Sequence, residues 1–154
     1  LDPVTRRLVL PNGERFLITD TVGFIHKLPP SIVAAFQATL EELSEADLLL
    51  HVVDITHKNA ANQCLTVEEI LSELNLKDKP KITVLNKLDL ALSSEVELEA
   101  LTTVPSIKEQ IMLPNKNIAL ISATKGWGMV KLLDKITCYL GKEVINGKGN
   151  GRED

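Results

Sequence analysis

Three continuous apolar runs, separated by segments with helical periodicity, most strongly limit the fold that this chain can adopt. The runs cover residues 47–54 (DLLLHVVD), 81–85 (KITVL) and 117–122 (NIALIS). Runs of this kind are typical of strands that are buried on both faces of a parallel sheet. Apolar stripes at helical spacing lie at 64–74 and 129–140. Strands that alternate with helices along the chain form right-handed strand–helix–strand units. We therefore predict an α/β protein, with a mostly parallel sheet and helices on both faces.

The N-terminal segment has a different pattern and predicts an antiparallel hairpin. Strand-like runs cover residues 6–10 and 14–19, and Pro11-Asn12-Gly13 lies between them. Asn and Gly tolerate positive φ, which tight hairpin turns require. The hairpin is therefore expected to form the edge of the sheet.

Composition and charge indicate one soluble domain of ordinary type. The 154 residues are 44% hydrophobic and 25% charged, with a formal net charge of −4. This charge gives no general attraction to nucleic acid or to an anionic membrane, so we expect neither direct DNA binding nor a membrane partner. No apolar run has transmembrane length and no secretory signal is visible, which favours a cytoplasmic or organellar protein that is not secreted. Residues 1–140 are predicted to be the domain, and 141–154, rich in Gly, Asn and Lys, a disordered tail.

The polar box that follows the second apolar run, Asn86-Lys87-Leu88-Asp89, is the strongest functional signal. An Asp carboxylate there can accept hydrogen bonds from the N1–H and N2–H₂ groups of guanine. Adenine lacks this donor pair and would leave the carboxylate unpaired, at a cost of roughly 1–3 kcal/mol or more. In this interpretation Asp89 binds the base, Asn86 joins neighbouring loops and the Lys87 stem packs on the ring. The alternative is a solvated polar turn that caps the next helix.

A second box, Asp20-Thr21-Val22-Gly23, ends the second strand of the predicted hairpin. In a GTP site an Asp at this position holds Mg²⁺, usually through water, and the Gly backbone N–H reaches the γ-phosphate. Asp20 is therefore the candidate metal ligand and Gly23 the candidate phosphate contact. Taken alone, the box is a weak signal and is more typical of an Asp-containing turn after a strand.

The third box, Ser122-Ala123-Thr124, follows the last apolar run. Here the Ala123 N–H is predicted to point at guanine O6, and the Ser122 hydroxyl to brace the loop. By itself the tripeptide has little meaning, but all three boxes follow predicted strands. Loops at the carboxyl ends of parallel strands line the ligand crevice of open α/β sheets.

In this order the three boxes resemble the Ras-like GTPases, and the wording between them resembles the GTPase domain of the HflX family over residues 1–140. The matching segments are residues 1–3 (LDP), 5–7 (TRR), 20–25 (DTVGFI), 27–29 (KLP), 38–42 (ATLEE) and 46–54 (ADLLLHVVD). The resemblance implies an incomplete Ras-like P-loop NTPase fold. It also implies binding of GTP or GDP with Mg²⁺, and association with the large ribosomal subunit.

Two departures from the family pattern limit what the chain is expected to do. No G-x-x-x-x-G-K-[S/T] phosphate loop occurs in the 154 residues, and Phe24 follows Gly23 where Ras-like proteins carry a water-positioning glutamine. In the family this loop precedes the position of Leu1, so we expect a truncated G domain, a fragment with no catalytic residue of its own. The alternative to a GTP-binding protein of HflX type is a non-catalytic module that binds ribosome or protein without hydrolysing GTP.

Overall fold

The computed structural model of the chain describes residues 4–10, 12–21, 43–103 and 117–147. Contacts between backbone positions group the chain into two units, residues 1–47 and 48–154, where the sequence predicted one domain over 1–140. Each unit is described separately below.

The N-terminal unit contains the predicted antiparallel hairpin, which is confirmed. Strands β1 (Val4–Val9) and β2 (Arg15–Asp20) pair antiparallel, with Val4 opposite Asp20 and Val9 opposite Arg15. At the turn, the Gly13 N–H donates to the Leu10 carbonyl at 2.9 Å, and Gly13 has a φ of 84°. A left-handed φ of this kind is what the Gly in the turn makes possible.

The C-terminal unit is built on three parallel strands in the order β3-β4-β5, which confirms the predicted parallel sheet. The strands are β3 (Leu49–Asp54), β4 (Lys81–Asn86) and β5 (Ile118–Leu120). The helices are α1 (Ala60–Glu73), α2 (Glu95–Thr103) and α3 (Met129–Gly147), and a short 3₁₀ helix covers Leu88–Leu90.

Strand β4 lies at the centre of this sheet and forms its core. Its first five residues, 81–85, are all buried, and Ile82 has no exposed surface. Successive side chains of a strand point to opposite faces, so burial of Val84 as well as Leu85 means that both faces of β4 are covered. This agrees with the expected layered α/β arrangement.

Helix α1 packs on the face of the sheet that carries Val53 and Leu85. Cys64 of α1 forms a buried cluster with these two residues, and Val67 and Leu71 continue the buried stripe. Each such side chain contributes roughly 1.5–3 kcal/mol when fully buried. The helical spacing at 64–74 therefore correctly indicated which helix face is buried.

The predicted tail from residue 141 requires a correction. Helix α3 continues to Gly147, so residues 141–147 are helical where the sequence predicted disorder. The sequence itself contains the reason, since Lys142 and Glu143 are good helix formers and Val144 continues the four-residue spacing of Ile136 and Leu140. Residues 148–154 lie outside the described ranges. No helix within those ranges is long and apolar enough to cross a membrane.

Candidate functional site

The loops that follow β4 and β5 meet at the carboxyl end of the parallel sheet. The Ala123 N–H donates to Asn86 Oδ1 at 3.0 Å, and the Ser122 hydroxyl donates to Asp89 Oδ1 at 2.6 Å. A backbone hydrogen bond from the Leu88 N–H to the Ile121 carbonyl, at 3.3 Å, joins the loops a third time. The structure therefore brings together two of the three boxes that the sequence singled out.

The loop after β4 turns sharply at Lys87. This residue has a φ of 69°, in the left-handed region, and the 3₁₀ helix begins directly after it. Leu88 is buried and fixes the loop to the core, while Asn86 and Asp89 make the side-chain hydrogen bonds to the second loop. A left-handed conformation costs a non-glycine residue about 1–2 kcal/mol, so the surrounding contacts must hold Lys87 in place.

The loop after β5 is closed by Ser122. Its side chain is fully buried, at 0% exposure, and its hydroxyl oxygen also accepts the Lys125 N–H at 3.1 Å. The Ser122 N–H donates to the Trp127 carbonyl at 3.1 Å, which pairs the two ends of the loop. Ala123 and Thr124 remain exposed between them. These contacts hold the loop in place, and the role of Ser122 in binding a nucleotide stays a prediction.

Two glycines allow the same loop to return to the sheet. Gly126 and Gly128 have φ values of 75° and 69°. A Cβ on Gly128 would lie 2.1 Å from the Leu120 carbonyl oxygen, so no larger residue fits without displacing β5. The Gly128 N–H donates to Glu95 Oε1 at 3.1 Å, which ties the loop to the first turn of α2.

An ion pair beside the first loop was not anticipated as part of the site. Lys87 Nζ lies 2.6 Å from Asp54 Oδ2, and Asp54 Oδ1 accepts the Thr56 N–H at 3.0 Å and its hydroxyl at 2.7 Å. The hydrogen bond from Lys87, followed by those from Thr56, lowers the pKa of Asp54 to about 2. No local sequence pattern indicates this contact, which arises because Asp54 ends β3 and is the register partner of Asn86 on β4.

The side chains of these loops fit a guanine base by their chemistry. A carboxylate offers about four acceptor positions, and the Ser122 hydroxyl occupies one of those on Asp89. The others can accept the two donors on the guanine edge. The Ala123 N–H, predicted to point at guanine O6, here donates to Asn86 Oδ1, so that contact would have to be shared or exchanged. A pocket borders Asp89, and its lining includes residues 90–93, Lys125 and Trp127.

The second box, Asp20-Thr21-Val22-Gly23, is described only in part. Asp20 is the last residue of β2 and is exposed, and Gly23 lies outside the described residues. In the ranges that the structure describes, no three His, Cys, Asp or Glu side chains are grouped so as to hold a metal ion. A single carboxylate is compatible with Mg²⁺, which keeps several waters and takes one or two carboxylates together with phosphate oxygens. The metal role of Asp20 stays a prediction.

The family model and the relatives that match this chain in sequence are all GTPases. A sequence model of the 50S ribosome-binding GTPases matches residues 1–87. The chain is 43% identical to the GTPase HflX of Caldanaerobacter subterraneus subsp. tengcongensis over 144 residues, which are 94% of this chain and 30% of that protein. It is 42% identical to the GTPase HflX of Chlamydia pneumoniae over 148 residues, 96% of this chain and 28% of that one. The chain thus spans about 30% of the length of the curated relatives it matches.

Solved structures agree with the fold. A GTP-binding protein of the hyperthermophilic archaeon Sulfolobus solfataricus, in complex with GDP, superimposes with a TM-score of 0.65 and 31% identity, covering 89% of this chain and 44% of that chain. Era in complex with MgGDPNP and a segment of 16S ribosomal RNA gives a TM-score of 0.63 and 25% identity, with the same coverage of 89% and 44%. The parallel sheet and the antiparallel hairpin described above are thus those of Ras-like GTPase structures.

Proposed function

This chain belongs to the 50S ribosome-binding GTPase family, and within it to the HflX GTPases, and from that premise we propose that it carries the base-reading part of a guanine-nucleotide site. The observation that supports this most directly is the pair of hydrogen bonds joining Asn86 to Ala123 and Asp89 to Ser122. They bring both base-reading boxes together through contacts made by the chain's own side chains.

In this site Asp89 selects guanine. Its carboxylate accepts from the N1–H and N2–H₂ groups of the base, and the Ser122 hydroxyl holds it in orientation at 2.6 Å. The Lys87 stem packs on the ring face, and Asn86 holds the second loop so that Ala123 and Thr124 border the base. A site built on a buried, hydrogen-bonded acceptor rejects a base without donors strongly, because the acceptor is then left unpaired.

The phosphate and Mg²⁺ roles belong to the second box, Asp20-Thr21-Val22-Gly23, and are proposed separately from the base-reading loops. We assign Mg²⁺ to Asp20 and the γ-phosphate to the Gly23 N–H, as in the resemblance from which these roles come. When bound, the ion would neutralise phosphate charge. Positioning and charge neutralisation supply almost all of phosphoryl-transfer catalysis, and the 154 residues contain no phosphate loop. We therefore propose that this polypeptide alone binds guanine nucleotides more weakly than millimolar and does not turn over GTP.

A second candidate function is that of a non-catalytic module that binds ribosome or protein. The matching family is described as ribosome-binding, and we propose the large ribosomal subunit as the partner and the cytoplasm, or an organelle interior, as the location. Since the net charge is −4, such binding would depend on specific contacts and not on general attraction to RNA.

A nucleotide titration followed by ¹⁵N-resolved NMR tests the base-reading role, because it detects millimolar binding residue by residue. GDP is expected to shift the amides of residues 86–89 and 122–125, whereas ADP at the same concentration leaves them in place. In the Asp89→Asn variant the preference should move from GDP to xanthosine diphosphate, because the amide then donates to the O2 carbonyl of xanthine.

Either of two results would contradict the proposal. Equal shifts with ADP and GDP would mean that the loops do not read the base, and unchanged specificity in Asp89→Asn would remove Asp89 from that role. Micromolar affinity for GTP, or measurable phosphate release by the purified chain, would contradict the claim of weak, non-catalytic binding. Titration of Ser72→Ala, an exposed residue of α1 outside both boxes and outside the pocket lining, serves as a control for surface effects.

A further inference from the structure

We propose that Asp54 is a positioning residue that holds the Lys87 side chain in one orientation at the base-reading loop, an inference that rests on the proposed guanine-binding function. The two residues are not neighbours in the sequence, since 33 positions separate them. The parallel register of β3 and β4 brings them together, because Asp54 and Asn86 are direct partners at the ends of the two strands. The ion pair is thus part of the architecture of the sheet edge that carries the site.

The Asp54 carboxylate is itself held in a fixed orientation. One oxygen, Oδ1, accepts both the N–H and the hydroxyl of Thr56, at 3.0 and 2.7 Å. The other, Oδ2, is left to meet Lys87 Nζ at 2.6 Å. With one oxygen fixed by two donors, the second can serve as an anchor of defined position for a long and otherwise mobile side chain. The depressed pKa of Asp54 keeps the anchor charged across the physiological range.

The exposure of the pair argues against a mainly structural role. The Lys87 side chain is 50% exposed and that of Asp54 is 35% exposed. Exposed ion pairs contribute little to the stability of a fold, because water screens them and ordering two side chains opposes them. The pair instead holds the four-carbon stem of Lys87 in one conformation, in the loop that also carries Asn86 and Asp89. A stem ordered before the base arrives loses less conformational freedom on binding.

The test uses six versions of the full chain besides the wild type: Asp54→Asn, Lys87→Met, the double variant carrying both, Thr56→Val, Thr56→Ser and Asp47→Asn. Met keeps the length of the apolar stem and removes its charge. Asp47 is the matched control, because it is an exposed acidic residue just before β3, at the opposite end of the strand from Asp54. Each protein is titrated with GDP, and the initial slope of the amide shifts of residues 86–89 measures relative affinity.

Asp54→Asn is expected to weaken GDP binding about two- to fivefold, the range that corresponds to an exposed charge pair. Because Asp54 acts through Lys87, the double variant should bind GDP no more weakly than Lys87→Met alone, whereas independent residues would give additive losses. Asp47→Asn should match the wild type. Replacing Thr56 by Val should reproduce part of the Asp54→Asn loss, and replacing it by Ser, which keeps the hydroxyl, should not.

The outcomes separate this inference from the proposed function. If the wild type binds GDP selectively but Asp54→Asn binds equally well, or if the two losses add, the positioning role is overturned and the base-reading role stands. If the wild type shows no guanine-selective shifts, the proposed function is overturned and the positioning role with it. Thermal unfolding of each variant is the second readout, and a loss of binding that follows a lowered Tm in proportion would also overturn the positioning role.

Discussion

The base-reading loops and the N-terminal hairpin differ in how much buried structure supports them. The loops rest on a sheet whose central strand is buried on both faces, and Ser122 within them has no exposed surface. In the hairpin every residue of β1 is exposed, and so is Asp20 at the end of β2. Two-stranded hairpins have little stability of their own. The base-reading boxes are thus fixed by the core that carries them, whereas Asp20 belongs to a hairpin in which Leu10 is the one buried apolar residue among those described.

The largest expected effect on stability comes from comparing a buried residue of β4 with an exposed residue of the hairpin. Ile82→Ala should lower the free energy of unfolding by about 2–5 kcal/mol, because it leaves a cavity in a fully buried strand. Leu17→Ala, in a strand of the hairpin where the side chain is 66% exposed, should change it by less than about 0.5 kcal/mol. Urea unfolding followed by far-ultraviolet circular dichroism measures both. Equal losses would mean that the hairpin has a core of its own, and the contrast would fail.

A smaller effect compares two glycines within the second loop. Gly128→Ala should cost about 2–4 kcal/mol, because the added Cβ meets the Leu120 carbonyl at 2.1 Å in a residue whose φ is already positive. Gly126→Ala has the same backbone strain but open space around its Cβ, so about 1 kcal/mol is expected. Thermal unfolding of both variants gives the comparison. If the two substitutions lower the free energy of unfolding equally, close packing on β5 does not determine the conformation of the loop.

Much of the C-terminal unit could be predicted from the sequence because its signals are local. Continuous apolar runs gave the buried strands, and each polar box followed a strand at the edge where ligand sites form. The contact between Asp54 and Lys87, which are 33 positions apart, was missed because it depends on the register between β3 and β4, which no local pattern specifies. The end of α3 was misjudged for a different reason. Gly141 and the polar residues near it suggested a break, but the helical spacing continues through Val144.

The smallest expected effect concerns the sheet beneath the loops. His51 lies in β3 next to the ion pair between Lys81 and Glu68, and burial, followed by the charge of Lys81, lowers its pKa while Glu68 opposes the shift. Because the folded protein resists protonation of His51 while the unfolded chain accepts a proton near pH 6.5, the unfolded state binds more protons below that pH. His51 should therefore make no pH-dependent contribution above about pH 7.5 and an increasingly destabilising one as the pH falls from about 6.5 toward its folded pKa.

Urea unfolding of the wild type and His51→Gln between pH 8 and pH 5 would measure this contribution as the difference between the two pH profiles, which cancels the shared titration of the carboxylates. The variant should lose less stability than the wild type on acidification. Parallel profiles for His51→Gln and the wild type would show that water reaches His51 freely. The sheet beneath the base-reading loops would then be more accessible to water than the burial of β4 indicates. In that respect it would differ less from the exposed hairpin.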